Sequence, residues 1–175
     1  LTATDLSGNT STCNAVVTIV DVTPPAALCQ NITVQLSAAG TASITASQIN
    51  NGSSDACGID TMTVSPNSFT CANVGANTVT LTVTDVNGNT STCTATVTVQ
   101  DNVNPVAVCQ NITIPLDATG NVSITSAQIN NGSSDACGIA SLSVSPSSFT
   151  CANVGPNTVT LTVTDVNGNV STCTA

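Results

Sequence analysis

Two residue types carry nearly all the chemistry open to this chain: cysteine and aspartate. Cysteines stand at positions 13, 29, 57, 71, 93, 109, 137, 151 and 173. Every acidic residue is Asp, there is no Lys, Arg, His, Trp or Tyr, and the formal net charge is −9. Nine cysteines in so small a chain imply disulfides, hence an oxidising, extracellular setting. Zinc is the competing use of the sulfurs, but it favours CxxC pairs or His partners, and the sequence has neither. Asp carboxylates suit a hard divalent cation such as calcium.

The missing residues exclude as much as the present ones suggest. Without Lys or Arg nothing grips phosphate, which excludes nucleic-acid binding, and anionic membranes repel the chain. Without His or Lys, no Ser or Thr has the usual activating base, and no Lys–Asn isopeptide bond can form. Trypsin-like proteases find no site. Paired aspartates can serve a glycosidase, but here they recur in every copy of a repeat, without aromatic platforms for a sugar. The chain therefore reads as no enzyme, with no catalytic and no cofactor-binding residues. No apolar run approaches the ~20 residues of a membrane helix, so membrane insertion is not expected.

The chemistry is distributed by an 80-residue repeat. CQNIT begins at Cys29 and Cys109, NNGSSDACGI at Asn50 and Asn130, SFTCANVG at Ser68 and Ser148, and TVTLTVTDVNGN at Thr78 and Thr158. Aligning 23–95 with 103–175 leaves 19 differences in 73 positions. Such a period marks a tandem array of one small domain. Residues 1–22 match 81–102, so the expected organisation is the C-terminal end of one repeat (1–22), a complete repeat (23–102) and a second lacking the end of its last strand (103–175). The chain reads as a window on a longer array.

Within the repeat, period-two alternation predicts half-buried strands. Val79, Leu81 and Val83 face one way between threonines. Cys93, Ala95, Val97 and Val99 do the same in the next run. Asn87-Gly88 between the two runs suits a tight hairpin. NITVQL (31–36), ASITASQI (42–49), IDTMTV (59–64) and SFTC (68–71) read as further strands, and no segment shows helical periodicity. Six or seven short strands in about 80 residues fit an all-β, immunoglobulin-like sandwich, whose thin core disulfides would reinforce.

Four cysteines per repeat allow three pairings. In such a sandwich the first strand starts at the end where the last hairpin turns, so Cys29 is expected to pair with Cys93 and Cys109 with Cys173. That leaves Cys57 with Cys71 and Cys137 with Cys151, and Cys13 with a partner outside the fragment. A Cys13–Cys29 link is disfavoured because a strand of about eight residues, ~26 Å long, carries the chain away from Cys13.

These motifs resemble the HYR (hyalin repeat) family of immunoglobulin-like modules. The residues carrying the resemblance are the Pro-containing lead-in, Cys-Gln-Asn-Ile at 29–32, Ser-Asp-Ala-Cys-Gly at 54–58 and Thr-Val-Thr-Asp-Val-Asn-Gly-Asn-Thr-Ser-Thr-Cys at 82–93. Common versions have Cys-Pro where this chain has Cys29-Gln30. TVTLTVTDVNGN also looks like the end of PKD-type modules. The wording of the repeat is similar to arrays in giant surface adhesins of Bacteroidota, of the SprB-like gliding-motility type. That resemblance implies type IX secretion and cell-surface display.

The Asp positions recur too. Topology is expected to bring Asp21 to Asp55 and Asp85, and Asp101 to Asp135 and Asp165, as candidate calcium ligands at the joints between repeats. The plainer reading is that each Asp caps its own turn. The outward Thr rows offer a face for ice or glycan, although Thr is also simply favourable on a solvated strand. Asn-X-Ser/Thr triplets at Asn9, Asn31, Asn51, Asn89, Asn111, Asn121, Asn131 and Asn169 permit glycosylation in a eukaryotic secretory protein. Asp60-Thr61-Met62 resembles a bacterial O-glycosylation motif.

The functional expectation is a stalk or filament segment of an extracellular adhesin, spacing a tip from the cell. Pro24-Pro25 and Asn104-Pro105 stiffen its joints, and neighbouring repeats are its first partners. Lateral self-association and a glycan or other surface ligand are the further partners this role admits. The alternative is a multivalent array whose repeats each contact glycan, ice or other cells.

Overall fold

A computed structural model describes residues 1–175. The chain is all-β with immunoglobulin-like sandwich repeats. Its strands are β1 (Thr2–Thr4), β2 (Thr10–Thr12), β3 (Ile32–Gln35), β4 (Thr41–Ser43), β5 (Ile59–Ser65), β6 (Ser68–Thr70), β7 (Gly75–Asp85), β8 (Thr90–Gln100), β9 (Asn121–Ser123), β10 (Ile139–Ser145), β11 (Ser148–Thr150), β12 (Thr160–Asp165) and β13 (Val170–Thr174). The β1–β2 hairpin pairs only with itself, and residues 1–20 are solvent-exposed throughout.

In the first repeat one sheet runs β3-β8-β7-β5, with β3 parallel to β8 and the other pairs antiparallel. The opposing layer holds the β4–β6 pair and the Ala26–Ser54 and Cys29–Asn50 bridges. Alternation decides the faces. Val79, Leu81 and Val83 of β7 and Ala95, Val97 and Val99 of β8 are buried against Leu36, Ile44, Ile49 and Phe69. The intervening threonines cover the outer face, where their β-branched chains suit a pleated surface.

Three details differ from the expectation. The strand expected to carry the chain away from Cys13 is absent, residues 13–20 being irregular beyond the end of β2 at Thr12. The segment 42–49 is not one strand, because after β4 the chain makes a single helical turn, α1 (Ala46–Ile49), repeated as α2 (Ser126–Ile129). A capping box explains it: the Gln48 Oε1 accepts a hydrogen bond from the Thr45 N–H at 2.8 Å, and Gln128 does the same for Thr125. Thr-x-x-Gln is a helix-start signal. It wins here over alternation and buries Ile49 and Ile129 fully. Likewise Cys71 is not in the SFTC strand but opens a 3₁₀ turn (Cys71–Asn73).

The second repeat repeats this plan with one strand fewer. Its sheet is β10-β12-β13 beside a β11–β9 pair. Residues 112–115, equivalent to β3, are irregular. In the first repeat β3 is held by residues 97–100 of β8, and the positions 80 further on lie past Ala175. The buried cluster accordingly shrinks to Ile124, Ile129, Val159, Leu161 and Val163. A cleft of about 940 Å³ opens between Ile112, Ile114, Ile129, Phe149 and Val159. A synthetic peptide of sequence ATVTVQDN (residues 95–102) is expected to bind there and raise the melting temperature of this chain. The same peptide with Val97 and Val99 replaced by Asp should do neither. Calorimetry and thermal denaturation with and without peptide measure both.

Candidate functional site: the joint between repeats

The strands of each sandwich deliver chemical groups to two opposite ends. At one end lies the β7–β8 hairpin. Asp85 accepts hydrogen bonds on Oδ1 from the Asn87 and Asn89 N–H groups (2.9 and 2.8 Å) and on Oδ2 from Asn89 Nδ2 (2.8 Å). Asp165 repeats the pattern with Asn167 and Asn169, and Asp5 with Ser7 and Asn9. Asp85 and Asp165 are fully buried. Burial opposes their ionisation, but the donors from Asn89 and Asn169 and from the turn backbone outweigh it, so both carboxyls are held below the ordinary value near 3.8. These aspartates therefore serve their own turns, each oxygen already engaged.

The same hairpin grips the incoming linker. Asn169 Nδ2 also donates to the backbone oxygen of Asp101 at 3.2 Å, and Asn89 Nδ2 to that of Asp21. This places Asp101 beside Asp135, and Asp21 beside Asp55. Asp101, Asp135 and Cys137 bring a carboxylate oxygen or Sγ within 4.8 Å of one another, as do Asp21, Asp55 and Cys57. Of each expected trio the structure thus clusters two aspartates with a cysteine. Asp85 and Asp165 stay in their turns. The Cys57 thiol is held protonated beyond its ordinary value, first by its hydrogen bond to Asp21 and then by the charges of Asp21, Asp55 and Asp85.

The cysteines divide into two classes. Cys29–Cys93 and Cys109–Cys173 close each sandwich, with Cα–Cα distances of 5.9 and 5.8 Å. The remaining pairs expected within repeats, Cys57–Cys71 and Cys137–Cys151, do not form. Instead Cys71 of the first repeat is bonded to Cys137 of the second, Cα–Cα 5.2 Å, while Cys13, Cys57 and Cys151 are free and exposed. The reason is strand length. β5 lies between Cys57 and Cys71 and spans seven residues, or about 23 Å at 3.3 Å per residue. Cys57 therefore sits at the hairpin end and Cys71 at the far end, facing the next repeat.

Gly40, at the turn into β4, makes room for this link. Its φ is +70°, and an added Cβ would stand 2.7 Å from Cys71 Sγ and 3.2 Å from the Ala136 Cβ of the second repeat. Only glycine satisfies both the backbone and the close approach. Gly120 approaches Cys151 Sγ in the same way, so the unpaired Cys151 already holds the pose of the paired Cys71.

Two predictions follow from this geometry. Digestion at aspartate under non-reducing conditions should yield a peptide joining Cys71 to Cys137 and none joining Cys57 to Cys71. Gly40→Ala should lose that peptide and raise the titratable thiols above the native three. The second concerns acid. Asp85 and Asp165 are bound more strongly as anions in the folded chain, so the stability they contribute is complete above their ordinary value near 3.8. It is lost as pH falls below that value and through the lower folded one. Asn89→Ala should be less stable at neutral pH and show a shallower acid limb, converging with the native curve at low pH.

No curated protein matches the chain, and no helix is long and apolar enough to cross a membrane. The disulfides fit an extracellular protein. Residues 20–99 match the HYR domain, an immunoglobulin-like, adhesion-related module that is not an enzyme family.

Proposed function

We propose that the chain is a stalk segment of an extracellular adhesin, built of HYR-type repeats joined at two points. The observation that carries this is the Cys71–Cys137 bond between repeats. The polypeptide connects the modules once, through the segment that follows β8 from Asp101, and the cystine connects them again at a separate place. A single tether permits swivelling. Two separated tethers oppose bending and twisting, which a spacer needs and an isolated binding module does not. The boundaries 23–102 and 103–175 follow the same reading. The likeness of the repeat to SprB-like arrays supports a bacterial cell surface, type IX export and gliding motility as the setting.

The intra-repeat cystines govern extension. Pulled from its ends, the oxidised chain carries load through Cys29–Cys93, along the sixteen residues to Cys109, and through Cys109–Cys173. Between Cys29 and Cys173 it can lengthen only to about 55 Å of backbone, against about 500 Å when reduced, at 3.3–3.6 Å per residue. Single-molecule stretching in oxidising and reducing buffer measures the difference. X-ray scattering of the oxidised chain and of the Cys71→Ser/Cys137→Ser variant tests the joint: an equally stiff, elongated profile for both would defeat the two-point reading.

A further inference from the structure

We infer that the joint between repeats binds a hard divalent cation, calcium by its chemistry, between Asp101 and Asp135. The inference goes beyond the stalk role and does not depend on it.

The chief observation is an orphaned anion. Asp101 is 7% exposed. Its Oδ1 accepts a hydrogen bond from the Val103 N–H at 3.0 Å, but its Oδ2 is shielded from solvent and has no hydrogen-bond partner. A buried carboxylate oxygen without a donor is costly. The second observation is its company. A carboxylate oxygen of Asp135 lies within 4.8 Å, although Asp135 has only the Cys137 N–H as donor. Asp165 is tied to the same place through Asn169, whose Nδ2 donates to Asp165 Oδ2 and to the Asp101 backbone oxygen. Negative charge thus collects where water is excluded. No side chain can pair with it, since there is no Lys, Arg or His in the sequence.

The kind of ion follows from the donors. The nearby sulfur of Cys137 is consumed in the Cys71–Cys137 cystine, so no thiolate is offered and soft or borderline metals lose their preferred ligand. What remains is carboxylate and backbone oxygen on a linker and a loop, a set that suits the loose geometry of calcium better than the strict octahedron of magnesium. The flanking joint has the same residues in Asp21 and Asp55, but Asp21 is only half-buried and its neighbour Cys57 is exposed, so the cation is assigned to Asp101 and Asp135.

Titration of the chelator-treated, oxidised chain with calcium chloride tests the assignment. Binding in the range of about 10⁻⁴–10⁻³ M typical of extracellular modules is expected, with a rise in melting temperature in about 10 mM calcium. Asp101→Asn keeps the acceptor for Val103 and replaces the orphan oxygen with a donor. It should abolish the calcium-dependent rise and melt higher than the native chain in chelator. Asp135→Asn, at a more exposed position, should abolish the rise without disturbing the fold. A flat titration of the native chain, or a calcium response kept by both variants, overturns the inference.

Discussion

A seven-residue strand fixes the logic of this molecule. β5 in the first repeat and β10 in the second separate the second and third cysteines by the length of the sandwich, so they cannot meet within one module. Their sulfurs are thereby aimed at different neighbours, Cys137 backward to Cys71 and Cys151 outward. Cys29 and Cys93 belong to elements that run side by side and close on each other, although they stand 64 positions apart in sequence. A loop of that size gives a cystine worth about 4 kcal/mol in the chain-entropy view. That matters for a core containing a single Phe. One class of cystine holds each module folded and the other fixes how modules sit against one another. The division follows from backbone length alone.

A second constraint is the total lack of cationic side chains. In most proteins buried carboxylates meet Arg or Lys. Here they are served by amides. Asp85 and Asp165 show how completely this can be done: each takes two backbone N–H groups and one Asn side chain, enough to keep it ionised inside the hairpin. The Asn that completes the turn then uses the same amide to hold the neighbouring linker. Turn and joint are one hydrogen-bonded unit, so the hairpin that ends a sheet also orients the module before it.

Much of this was legible in the residues. Alternating Val/Thr runs and Asn87-Gly88 gave the β7–β8 hairpin, and adjacency of first strand and last hairpin pointed to Cys29 with Cys93. The helical turn was hidden because one turn is too short for periodicity, though Thr45-x-x-Gln48 is a readable cap. The inter-repeat bond was missed for a different reason. Elimination within the repeat leaves Cys57 with Cys71, and only the length of the intervening strand β5 shows that the two cannot meet. The side-chain placement of Asp101 and Asp135 was not legible beyond their topology, since an orphaned oxygen is a property of packing, not of sequence.

The remaining step concerns how the two links at a joint share their work. The direct covalent route between Cys93 and Cys109 is sixteen residues, whereas the route through Cys71–Cys137 adds the chain back from Cys93 to Cys71 and from Cys137 to Cys109. Under tension the shorter route tightens first, so Cys71–Cys137 does not limit extension. Its contribution is to orientation. It stands at the Gly40 turn, against Ala136, while Asp101 enters the next module at the Asn169 hairpin. Bending about either attachment must strain the other, and a glycine at position 40 is the local condition that lets them coexist.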